Sequence, residues 1–152
     1  MHSRFHLASH AFAAGALAGL ITTILLWIVG QVGIFILVGV PFAPPLTTGM
    51  IYTRVVWGGM WGLLFLLPVL PAWRWRMRGL LFGVVPSAAA LLLFNPLEDG
   101  LGLFGLEMGL MWPVFVIAFN VLWGYLAGAW LDMSLAGTGS NKAGAGESAP
   151  DA

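Results

Sequence analysis

Between His10 and Arg74 this chain carries one charged side chain, Arg54. Two further uncharged runs cover residues 79–97 and 108–131, so charges are confined to the gaps between long apolar stretches. A helix needs about 20 apolar residues to cross the ~30 Å hydrocarbon core of a bilayer. Only 8% of the residues are charged, against roughly 25% in an ordinary soluble domain. These runs predict an all-α integral membrane protein, a four-helix bundle with spans at about 11–33, 46–70, 75–95 and 107–131. The third span is the weakest, because Pro86 interrupts it and Arg76 and Arg78 lie near its start. Gly33, Gly39, Pro41, Pro44 and Pro45 mark the stretch 34–40 as a loop or short re-entrant turn. The first apolar run continues well beyond a signal-peptide core, so an uncleaved anchor is expected.

The basic residues set the expected orientation. Arg4, Arg74, Arg76, Arg78 and Lys142 fall on one side of such a bundle and Arg54 alone on the other, which predicts both termini in the cytoplasm. Residues 1–10 then form a cytoplasmic N-terminus and 11–135 the transmembrane domain. Residues 136–152, rich in Gly, Ala and Ser, are expected to be a disordered cytoplasmic tail. The run Trp73–Arg78 reads as an anchor at the inner interface.

Two stretches nearly repeat each other. Arg54-Val-Val-Trp-Gly-Gly-Met-Trp-Gly62 matches Asn120-Val-Leu-Trp-Gly-Tyr-Leu-Ala-Gly128, 66 positions later. With 8 Trp and 21 Gly in the chain, Trp-Gly-x-x-x-Gly is expected about 0.15 times by chance, and it occurs twice. Gly15–Thr23 matches Gly79–Ser87 at an offset of 64. A two-helix unit duplicated in tandem, with the two hairpins parallel, accounts for both pairs. Each span then carries a Gly-x-x-x-Gly face: Gly15/Gly19, Gly58/Gly62, Gly79/Gly83 and Gly124/Gly128. Glycines four apart share a helix face and let backbones approach closely, which is how helices associate in lipid.

The chemistry-bearing residues are few. The charges cancel, so there is no electrostatic footprint for nucleic acid. The absence of cysteine excludes disulfides, thiol catalysis and thiolate metal sites. His2, His6 and His10 recur at the spacing of one helix face but lack an acidic neighbour, so no metal site is expected. No catalytic constellation, phosphate-cradling loop or cofactor motif is present, and an enzyme is not expected. Thr22, Thr23, Ser87 and Asn120 read as helix–helix hydrogen bonders. Arg54 and Asn120, equivalent under the duplication, are expected close together as an intramembrane polar site. Glu107 is the acid nearest in depth, with Glu98 and Asp99 as substitutes, because a buried guanidinium needs pairing or water.

A small-x-x-x-small first helix, a Trp-Gly-x-x-x-Gly second helix and a repeat of the hairpin resemble small four-pass bacterial inner-membrane proteins of the YagU-like kind, over roughly residues 8–131. The resemblance implies a multi-pass protein of the bacterial inner membrane and brings no catalytic residues with it. The expected function is therefore structural, with the glycine faces binding a second copy or another membrane subunit within the lipid bilayer. The alternative is an oligomeric solute or ion pathway with a polar site at Arg54 and Asn120.

Overall fold

The computed structural model describes the backbone from His2 to Gly146 and side chains from Arg4 to Leu135. Among the described residues every regular element is helical. Helix α1 runs His2–Gln31, α2 is one turn at Ile34–Leu37, and α3 runs Thr48–Gly62 before a 3-10 turn at Leu63–Leu66. Helices α4 (Trp75–Phe82) and α5 (Val84–Ala89), a π-helical turn (Ala90–Phe94) and the short α6 (Asn95–Leu97) form one bent stretch. A 3-10 segment at Leu103–Met108 precedes α7, Trp112–Gly146. Three stretches are long and apolar enough to cross a membrane: Arg4–Gln31, Trp75–Leu97 and Trp112–Leu135.

The second expected span is shorter than its apolar run. Thr47 caps α3 by accepting the Met50 N–H at 3.1 Å, which fixes the start at Thr48, three residues after Pro45. At the other end Leu67 turns extended before Pro68, because proline disfavours a helical conformation in the residue before it. The last span also begins later than expected, at Trp112 and not at 107. Gly109 has φ 128°, outside helical space, and Pro113 sits in the first turn of α7, where its missing N–H costs nothing. The third span bends where the sequence anticipates it, since Pro86 withholds one helical donor. Residues 34–40 form one turn and a loop that tuck Phe35 and Val40 fully inside. Helical backbone continues past Leu135 to Gly146. Of the expected tail, side chains from 136 and all of 147–152 lie outside the described residues.

The helices pair as two antiparallel hairpins. A Cβ on Gly15 would run into the Gly58 carbonyl oxygen, one on Gly19 would meet the Arg54 oxygen at 2.5 Å, and one on Gly62 would strike the Ala11 oxygen. In the second hairpin a Cβ on Gly79 would run into the Gly124 oxygen, one on Gly83 would meet the Asn120 oxygen at 2.5 Å, and one on Gly128 would strike the Trp75 oxygen. The offsets of 64 and 66 carry every member of the first set onto the second. All eight expected packing glycines therefore lie at backbone crossings inside this chain, and no other residue type would fit there.

One end of the molecule carries Arg74, Arg76 and Arg78 and is densely closed. Ala11, Ala14, Ala18, Phe65, Phe82, Trp123, Ala127 and Leu131 form its core. The Trp123 indole N–H donates to the Gly15 carbonyl at 2.9 Å, tying α7 to α1. Arg78, expected at the interface, is instead 6% exposed. Its guanidinium donates to the Leu67 carbonyl at 2.6 Å and the Phe65 carbonyl at 3.3 Å and lies 4.4 Å from the centre of the Trp75 ring. It closes the carbonyl end of the 3-10 turn, whose last acceptors have no helical partner. Arg76 pairs with Asp132 at 2.8 Å, joining α4 to α7.

Candidate functional site

The opposite end carries Glu98, Asp99 and Glu107, and there the helices do not close. The 3-10 turn after α3 packs on α4. Farther along, a cavity of about 590 Å³ separates α3 from α5, the π-helical turn and α6, with α1 and α7 also contributing walls. Rings of Trp57 and Phe94, centroids 5.7 Å apart, bridge the two sides. Helix α3 contributes Thr53, Arg54 and Trp57; α7 contributes Phe115, Phe119 and Asn120. Phe42, Leu101 and Met108 line it from the loops. Trp123, which also lines the cavity, closes it toward the arginine-rich end through its bond to Gly15.

The local sequence explains why the site stays open. Glycines draw α3 onto α1 and α7 onto α4, and Phe115 and Phe119 pack on Phe35, while the bulky rings of Trp57 and Phe94 stand between α3 and the π-helical turn. The loop holding the acids turns through Gly100, Gly102, Gly105 and Gly109, all with positive φ, a conformation open to glycine at little cost.

Arg54 and Asn120, expected together, do line one cavity. They are not bonded to each other: the Asn120 amide donates to the Val116 carbonyl of its own helix at 2.9 Å. Thr22 donates to the Ala18 carbonyl at 2.8 Å, Thr23 to Gly19 at 2.7 Å and Ser87 to Gly83 at 2.8 Å. These four side chains satisfy themselves within their own helices and do not bond across helices. Arg54 makes no hydrogen bond or ion pair among the described residues; Glu98 and Asp99 are the carboxylates that share its cavity.

Glu107 is not part of this arrangement. It lies in the 3-10 segment, packed beside Gly102, because α7 starts after it and leaves it in the loop. Glu98 and Asp99 take its place at the cavity wall. Two lining residues escaped sequence reasoning. Asn95 is 4% exposed and Trp112 9% exposed. The Asn95 amide nitrogen and the Trp112 indole nitrogen have no hydrogen-bond partner among the described residues, and both lie beside Gly105. An asparagine closing an apolar run was the available signal for the first. Nothing distinguished Trp112 from the other interfacial tryptophans. No group of three or more metal-ligating side chains converges among the described residues.

No protein-family model, curated protein or solved structure matches this chain.

Proposed function

We propose that this chain is a non-catalytic, multi-pass protein of the bacterial inner membrane that holds a small ligand in the cleft between two tandem hairpins. The observation that carries the reading is Arg54, a cation without a hydrogen-bond or ion-pair partner among the described residues, facing a cleft it shares with Asn120, Asp99 and Glu98. Arg54 lies about 9 Å into its span at ~1.5 Å per residue, and a charge within the hydrocarbon is costly unless paired or hydrated, so an unpaired one facing a cavity serves something that enters it.

Four passes are supported by length. Helix α3 rises about 22 Å at ~1.5 Å per residue and its 3-10 turn adds about 8 Å at ~2 Å per residue, together close to the ~30 Å core. The matching glycine crossings support descent of both hairpins from one unit. Those same crossings occupy the faces that a structural, partner-binding role requires, so the cleft offers the stronger site. A solute pathway through one copy would have to part Trp123 from Gly15.

Single cysteines in this cysteine-free chain test the proposal. A cysteine at Thr53 should react with a small charged thiol reagent added to intact cells, while one at Ala18 or Ala127 should not. A cysteine at position 140 should be protected until the membrane is opened. An inert Thr53 position would remove the cleft, and external labelling at 140 would reverse the orientation.

A further inference from the structure

Resting on that reading of the cleft, we propose that its ligand is one membrane phospholipid with a zwitterionic headgroup, phosphate on Arg54 and ammonium beside Asp99 and Glu98. The charge set excludes simpler fits. One cation and two carboxylates line the cavity, so a plain anion leaves both acids opposed and a plain cation meets Arg54. A headgroup carrying both signs answers each. The ammonium also finds aromatic faces nearby, since Trp57 and Phe94 bridge the cleft, and such rings attract cations. Arginine supplies parallel donors that match a phosphate.

The apolar part of the ligand has its own place. A second groove of about 330 Å³ runs along α3 and its 3-10 turn, lined by Met60, Leu63, Leu64 and Leu67 together with Trp57 and Trp61. The two tryptophans also line the cleft, so the apolar groove adjoins the charged cavity. From Arg54 to Leu67 the path is about 20 Å at ~1.5 Å per residue, enough for the ~15 Å of hydrocarbon in one leaflet. The direction also fits, with the charged part toward the acidic end and the groove leading inward.

Native mass spectrometry of the purified protein in maltoside tests this, with phosphatidylethanolamine, phosphatidylglycerol or phosphoethanolamine added. Wild type should retain one phosphatidylethanolamine and bind it at least about tenfold more tightly than phosphatidylglycerol, which lacks the ammonium. Arg54→Gln should weaken the binding of both lipids, and the double variant Glu98→Gln/Asp99→Asn should lose the preference between them, each while keeping the wild-type helicity and elution volume. Leu64→Trp, which fills the groove and touches no charge, should lose the lipid yet leave phosphoethanolamine binding in place. If phosphoethanolamine binds in an Arg54-dependent way and the lipid does not, the cleft stands and the lipid proposal falls. Lipid retention that ignores both charge variants overturns the proposal, and the absence of any Arg54-dependent binding overturns the cleft as well.

Discussion

Arg78 and Arg54 are both arginines set in apolar surroundings, and the molecule treats them in opposite ways. Arg78 lies in the closed half, donating to two carbonyls and lying on the Trp75 ring. Arg54 lies in the open half and is left to the cavity. Two tryptophans at matching places of the sequence repeat differ in the same sense: Trp123 is 4% exposed and bonded to Gly15, while Trp57 is 42% exposed. One hairpin plan thus yields two environments. Small residues bring backbones together at one end, and at the other the rings of Trp57 and Phe94 stand between α3 and the π-helical turn. Both halves carry a buried core, and the capacity to bind resides in the second.

The sharpest way to break this division is at the glycine crossings. Gly58→Leu and Gly124→Leu should each cost about 3 kcal/mol, because the new side chain must displace backbone and not merely a flexible neighbour. Leu93→Ala, at a half-exposed position, should stay within about 0.5 kcal/mol. Thermal melting in detergent reads both, and equal tolerance would dissolve the distinction. Next in size come the arginines. Arg78→Met should cost about 1.5–3 kcal/mol by stranding the Phe65 and Leu67 carbonyls, whereas Arg54→Met should leave the melting temperature unchanged or raised. A matching loss at both would show that Arg54 is structural. The smallest effect separates the tryptophans. Trp123→Phe should cost about 1 kcal/mol through the lost Gly15 bond, and Trp57→Phe should cost almost nothing.

The helical class and the glycine faces were legible in the sequence because both depend on local rules: charge-free length and a spacing of four. The contacts Gly15–Gly58 and Gly79–Gly124 follow from that spacing plus the repeat. Helix ends were less legible. The start at Trp112 depends on Gly109 adopting φ 128°, and the resulting loss of Glu107 from the site follows from that one turn. Burial of Arg78 was hidden for another reason. Its partners are main-chain carbonyls freed by the break before Pro68, and a main-chain acceptor leaves no mark in the side-chain pattern. The hydroxyls of Thr22, Thr23 and Ser87 misled similarly, because each found its acceptor one turn back on its own helix.

The bond between Trp123 and Gly15 also carries a cost of closure. Each glycine crossing joins neighbours within one hairpin and so closes a shorter loop. The Trp123 bond spans 108 positions, a far larger loop to close, and such contacts form slowly. The cavity floor therefore carries a larger closure cost than either hairpin. A ligand that binds only the closed cavity adds its affinity to the native state.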